Sequence, residues 1–354
     1  QDGIIVTGNS EYDYYSGGFS SGITLFDLSD FFQIRSSKAY YQSIQFSHKQ
    51  NELDLILDIT TQYFNTLAYK KLAAASIDNI NRTQKQLDKI QQMFDLDIVS
   101  QIDLIKQQGL VGKAKLDSIT NVKSYQTALG KLNEIMGRSP DTPLELEDYL
   151  DTNYVQLNYY DLVKYAQENH PGLNYYRQNT RYTKLIKSAG YSRYLPSINL
   201  GFSHSWGNQD FDKVKDYFST DYSQRIGVSL NWTLFDGFNR ELSMKNKSID
   251  YRIAKETQSK MELSLIQSIK SAYLSLTESQ EKIRVSRINY ETALKEHQLA
   301  EEKYTLGAGD YLDLLDAQVT LINSQITLIT NLYNYRIAIA MLENTSAYPI
   351  HSHP

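Results

Sequence analysis

Cysteine is absent from all 354 residues. That excludes disulfide stapling, thiolate zinc sites and a thiol nucleophile in this sequence. Helix breakers are scarce: six prolines and seventeen glycines, below ordinary usage of about 5% and 7%, and gathered in a few places. No run approaches the roughly 20 apolar residues of a membrane-spanning helix, which excludes a bundle of such helices but leaves membrane strands open. Positive charge is not in excess, with 36 Lys+Arg against 41 Asp+Glu and a net charge of -5. Without a Lys/Arg-rich block, nucleic acid is not an expected partner. There is no Gly-rich phosphate loop, nucleophile elbow or paired-carboxylate motif. Among six histidines only His351-Ser-His353 has ligand spacing, and it reads as a tail. No enzyme activity, cofactor or metal is expected.

What is present is length without interruption. Neither glycine nor proline occurs from Leu28 to Gln108 or from Phe238 to Leu306, runs several times the mean helix of about 11 to 12 residues. Within them apolar residues recur at steps of three and four: Leu53, Ile56, Leu57, Tyr63, Phe64 and Leu67, then Leu263, Ile266, Tyr273, Leu276 and Ile283. One narrow sticky face on a long helix indicates coiled-coil-like packing. The two runs also repeat each other. Leu25-Phe26-Asp27 returns as Leu234-Phe235-Asp236, Phe94 matches Tyr304, and Ile102-Asp103-Leu104 matches Leu312-Asp313-Leu314 at an offset of 210. The expected organisation is repeat 1 over 1–136, a linker over 137–164, repeat 2 over 165–343 and a tail over 344–354. In repeat 2 a rising helix is expected from about Leu162 to Arg193.

Each repeat opens on alternating residues. Ser197 to Ser203 and Arg225 to Leu234 place Ile198, Leu200, Phe202, Ile226, Val228 and Leu230 on one face of a hairpin over 196–236. Repeat 1 offers Ile4 to Tyr14 and Phe19 to Leu25 around a Ser16-Gly17-Gly18 turn, a hairpin over 1–26. Strands of about 10 residues are long enough to cross a bilayer in a tilted barrel. A small sandwich is the competing reading. Four strands cannot hide their own edges, so closure is expected from further copies, two giving eight strands and three giving twelve. Tyr12, Tyr14, Tyr15, Trp206, Tyr222 and Trp232 are candidates for interfacial girdles.

Each long run breaks once. Gly307 and Gly309 suit a left-handed reversal over 305–310, with Asp310 as N-cap; repeat 1 reverses over 94–100, with Asp97 or Ser100 capping. The strand ending Leu-Phe-Asp-Gly, the Tyr304-to-Gln318 turn (Tyr-x-x-Gly-x-x-x-x-Leu-Asp-Leu-Leu-Asp-Ala-Gln) and the stretch from Asn169-His170-Pro171-Gly172-Leu173 to Leu195-Pro196-Ser197 together resemble the TolC family of outer-membrane efflux and secretion ducts. The resemblance covers both repeats. It implies an α+β membrane protein in which long antiparallel helical hairpins form an α-barrel continuous with a trimeric transmembrane β-barrel, four strands per chain. It implies a homotrimer in outer-membrane lipid, extending into the periplasm, with a periplasmic adaptor and an inner-membrane transporter as partners. The adaptor is expected at the turns, near Asp97, Gly307, Gly309 and Asp310.

The resemblance also implies site residues. Asp313 and Asp316 match positions that form acidic rings at the pore constriction. Asp103 matches a residue bonded to a tyrosine and an arginine of the second hairpin; Tyr304 stands at the tyrosine, but Gly309 at the arginine. Lys106, one turn after Asp103, is a candidate partner for Asp316. With half that latch missing, the duct is expected to open more readily than relatives that keep the arginine. The family has a rising helix in both repeats, and none precedes the strands at Gln1, so a fragment or a sequence lacking its N-terminal part is expected. A soluble periplasmic coiled-coil adaptor or stalk without a pore remains the alternative.

Overall fold

The computed structural model describes residues 13–148, 155–214 and 222–350. Element order is β1 (Tyr15–Phe26), α1 (Leu28–Asp95), α2 (Gln101–Ile135), α3 (Tyr159–Asn169), α4 (Pro171–Gly190), β2 (Ser197–Asn208), the single turn α5 (Phe211–Val214), β3 (Tyr222–Asn231), α6 (Asn239–Thr305) and α7 (Tyr311–Ser346). The breaker-free runs become helices of 68 and 67 residues. Two compact units result, Gln1–Gln45 with Tyr175–Ser259 and Phe46–Asn174 with Lys260–Pro354, so each unit draws on both repeats.

In the first unit β1, β2 and β3 form an antiparallel sheet in that order. Register fixes its two faces. Ile198, Leu200 and Phe202 pair with Leu230, Val228 and Ile226, and Leu200 pairs on its other side with Ile23. These residues share one face with Phe19, Trp206 and Tyr222. The opposite face is polar and mostly small: Ser203, Ser205 and Asn199 of β2, Ser223, Arg225, Gly227 and Ser229 of β3, Gly18, Ser20 and Thr24 of β1. Among the described residues β1 and β3 each pair with β2 alone.

Two expectations are corrected here. Ser16-Gly17-Gly18 is not a turn; these residues run straight through β1, opposite Gly207, Trp206 and Ser205. The glycine serves packing: a Cβ on Gly17 would stand 2.7 Å from the Trp206 ring. The rising helix of repeat 2 is not continuous either. It is broken between α3 and α4 at Pro171, which has no N–H to continue α3 and suits the first turn of α4. It then ends in a 3-10 turn at Tyr191–Tyr194. The strand expected from Ile4 falls almost wholly outside the described residues, as do Tyr12, His351 and His353.

The second unit is held by three apolar clusters. α3 contributes Leu162 and Ala166 to a core with Ile269, Ala272, Leu276, Tyr335, Ile339 and Leu342. The stripe is less apolar than its spacing suggests, because Ser76, Thr83, Ser279 and Ser286 are buried in it. Each hydroxyl bonds back to a carbonyl three or four residues earlier, so no partner is owed across the seam. Residues 144–148 cross the second cluster as a strap: Tyr333 donates to Asp148 at 3.0 Å, Lys71 pairs with the same carboxylate, and Lys70 donates to the Leu146 carbonyl at 3.1 Å.

The role of Gly17 gives a test. Gly17→Val should displace the Trp206 ring and its 3.1 Å bond to the Val214 carbonyl, costing about 1–3 kcal/mol of stability. A shift in tryptophan emission with a lower thermal midpoint is the expected result.

Candidate functional site at the helical turns

The reversal between α1 and α2 and that between α6 and α7 use one backbone motif. The Asp97 N–H bonds the Phe94 carbonyl and the Ile98 N–H the Met93 carbonyl, both at 2.9 Å. At 210 residues' offset, Gly307 bonds Tyr304 at 3.1 Å and Ala308 bonds Lys303 at 2.9 Å. This is the Schellman closure. It demands a left-handed residue, and φ is 70° at Gly307 and 59° at Asp97. The returning helices are capped in matching fashion, Ser100 accepting from the Asp103 N–H and Asp310 from the Leu312 N–H. Of the two glycines expected to reverse the chain, only Gly307 is left-handed. Gly309 permits a close approach, since a Cβ there would lie 3.0 Å from the Lys303 Cβ and 3.1 Å from the Tyr304 nitrogen.

The two turns are locked together by a shared core of Ile90, Leu104, Tyr304, Tyr311 and Leu314. Tyr311 donates to the Gln107 Oε1 at 2.8 Å, and Gln107 donates to the Thr83 carbonyl at 2.9 Å. Gln107 is 1% exposed. Lys89 and Glu301 add an ion pair at 2.7 Å on the rim. Neither the Tyr311–Gln107 bond nor the Lys89–Glu301 pair was legible in the sequence, because each joins residues some 200 positions apart. Burial raises the Tyr311 hydroxyl above its ordinary pKa, with help from Tyr304 and Asp103.

Tyr304 lies in this core, its ring 5.7 Å from that of Tyr311, and its buried hydroxyl has no hydrogen-bond partner among the described residues. Burial first, then the charges of Asp103 and Asp310, raises its pKa. Asp103 is therefore close to Tyr304 without bonding it. Asp313 and Asp316 are exposed on one face of α7. With Asp310, Glu296, Lys303 and Gly309 they line a cleft of about 420 Å³ between α6 and α7. Lys106 is exposed and forms no ion pair with Asp316 within the chain. The acidic residues thus converge on one cleft, Asp103 and Tyr304 pack beside it, and Lys106 stays apart.

Tyr311→Phe should leave the buried Gln107 oxygen unsatisfied and cost about 1–3 kcal/mol. The raised Tyr311 pKa also has a sign: its contribution is complete below the ordinary tyrosine pKa of about 10 and is lost as pH climbs through the higher folded value. Alkaline unfolding curves of the wild type and Tyr311→Phe should therefore converge at high pH.

Comparison with known proteins fits this geometry. The sequence model for outer membrane efflux proteins matches residues 162–346, over half the chain. Outer membrane protein TolC of Escherichia coli is 22% identical over 89% of this chain, and TolC of Vibrio cholerae 21% over 94%. The chain spans 65% of the length of the E. coli protein and 76% of that from V. cholerae. Among solved structures, CusC superposes with a TM-score of 0.87 at 14% identity, covering 97% of this chain and 80% of that one. VceC of V. cholerae does so with 0.81 at 13%, covering 95% and 87%. The chain has the fold of these outer-membrane channels and belongs to the outer membrane efflux protein family.

Proposed function

We propose that the chain is one protomer of an outer-membrane exit duct for an efflux or type I secretion system. The observation that carries this reading is the two-faced sheet. Ile226, Val228 and Leu230 are 74%, 67% and 62% exposed, without cover among the described residues, while the other face is Ser, Gly, Asn and Thr with Arg225. In water such a face is a liability; in a bilayer it is the lipid surface of a barrel with a polar interior. Aromatic groups bound it. Tyr222 and Trp206 stand at one end, Trp232 at the other, where its indole donates to the Tyr194 carbonyl at 3.2 Å. Ten residues separate the levels, about 33 Å along a strand, or about 25 Å of height at a tilt near 40°, which matches the apolar band of such barrels.

Open edges at β1 and β3 call for further strands, and three copies of a four-stranded contribution close a twelve-stranded barrel. The soluble stalk accounts for the helices but leaves this face bare. In the trimer Asp313 and Asp316 would form stacked acidic rings at the constriction, which favour cations. Asp103 and Tyr304 would link neighbouring hairpins, the orphan Tyr304 hydroxyl being available to a neighbour. Lys106, unpaired with Asp316 inside the chain, would meet it only across the interface. The turns at Asp97, Gly307, Gly309 and Asp310, with Leu96, Ile98 and Leu306 exposed beside them, would receive the periplasmic adaptor that couples the duct to an inner-membrane transporter.

Val228 lies at midspan between Tyr222 and Trp232, so Val228→Arg should cost about 2–4 kcal/mol of insertion and abolish detergent-extractable trimer; normal yield would contradict the membrane assignment. Asp313→Asn/Asp316→Asn should leave assembly intact and weaken cation preference in planar bilayers. Unchanged selectivity would remove the rings and not the fold.

A further inference from the structure

Charge in the first unit is laid out unevenly. From Asn169 to Gln209 the sequence carries five Lys or Arg and no Asp or Glu. On α4, Arg177, Arg181 and Lys184 follow at i, i+4 and i+7 and share a face. Neighbours flank that face: Tyr182 meets Tyr40 of α1 at 5.5 Å, and Thr180 donates to the Ala254 carbonyl of α6 at 3.2 Å. On α6, Lys245, Arg252 and Lys255 lie about a quarter turn from Met244, Tyr251 and Ala254, the side that meets α4.

Tyr194 shows which side of the helical layer this is. Its carbonyl accepts from Trp232, which continues the apolar face of β3, and its hydroxyl donates to Glu241 at 3.4 Å. Glu241 stands on the same face of α6 as Lys245 and Arg252, so that face continues the lipid side of the sheet. Because α4 and α6 run antiparallel, the helical sense brings the α4 cations to the same side. Arg181, Lys184, Lys245, Arg252 and Lys255 are all exposed, and none forms an ion pair among the described residues. Glu241 and Glu256 are the acids of the face. Among the described residues the other end of the sheet has no counterpart: residues 208–214 carry Asp210 and Asp212 against Lys213.

We infer that this face is a collar for the anionic phospholipid headgroups of the leaflet at the helical end of the sheet, an inference that rests on the membrane reading above. The layers follow the order a leaflet requires: apolar strand face, Trp232 with Tyr194, then cations. Height decides which cations engage. A headgroup layer is about 6 Å deep and screening adds about 8 Å. Lys245, about 9 Å along α6 from Asn239, lies within that range. Lys184 and Arg252, at about the same level, reach it by extending their stems toward the interface. Lys255, about 24 Å along the same helix, does not, nor does Arg181, near the level of Ala254. A soluble polyanion would use both levels alike.

The test uses the full trimer in phosphatidylcholine vesicles, with spin-labelled phosphatidylglycerol and phosphatidylcholine as probes of its lipid shell. The wild type should prefer phosphatidylglycerol severalfold at low salt, and lose the preference near 0.5 M salt, where the screening length falls to about 4 Å. Each cation at a charged surface is worth up to about fivefold, so Lys184→Gln/Lys245→Gln should remove most of the preference. Arg181→Gln/Lys255→Gln should change it little. No preference in the wild type, or equal losses from the two pairs, would overturn the collar. If the trimers remain inserted in that case, the membrane reading stands; if the wild type fails to insert, that reading falls instead.

Discussion

A strand edge in hydrocarbon has no water to satisfy its N–H and C=O groups, and most of the molecule follows from that constraint. The sheet of the first unit has one apolar face, one polar face and outer edges without described partners. In isolation it is incomplete. In the proposed duct further strands, those of other copies included, would satisfy the edges, and lipid would cover Ile226, Val228 and Leu230, which are exposed here. On that reading oligomerisation would be a condition of the fold in its membrane.

Duplication supplies the rest of the design. The same Schellman turn closes both helical hairpins, once through Gly307 and once through Asp97. The returning helices also end alike, Gly137 and Ala347 both being left-handed. Yet the two copies are not equivalent. Tyr311 and Gln107 bind one hairpin to the other, and although Asp313 has a counterpart in Asp103, Asp316 is matched by Lys106. Asymmetry enters where the hairpins meet, so the turns carry the candidate gate while the long seams repeat. The helix junctions differ too. Arg240 bonds the Thr233 and Leu234 carbonyls at 2.9 Å and lies over the Tyr194 ring, whereas Asp27 caps the Ser29 N–H.

The helical architecture was legible because it is local. Breaker-free runs, a three-four stripe and a 210-residue repeat define α1 and α6 nearly to the residue, and Ser100 and Asp310 cap as their chemistry predicts. Legibility failed where a residue serves something distant in sequence. Gly17 and Gly18 look like a turn but make room on β1 for partners on β2 some 190 residues away. Asp97 occupies a left-handed position without the glycine that would announce it. The Tyr333–Asp148–Lys71 strap and the Tyr311–Gln107 bond join separated segments and leave no pattern. Arg240, four residues after Asp236, offered a local signal that the acidic residues of the turns overshadowed. For the candidate site, the sequence supplied the residues and the structure supplied their grouping: acids on one cleft, Tyr304 buried beside it, Lys106 apart.

The absence of native cysteine makes the central claim directly measurable. Single cysteines introduced from Tyr222 to Asn231, spin-labelled in reconstituted vesicles, report oxygen and aqueous nickel-chelate access at each position of β3. The account predicts alternation with a period of two, even-numbered positions favouring oxygen and odd-numbered positions favouring the chelate, with oxygen access greatest near Val228. Chelate access on both faces, or no alternation, would contradict it.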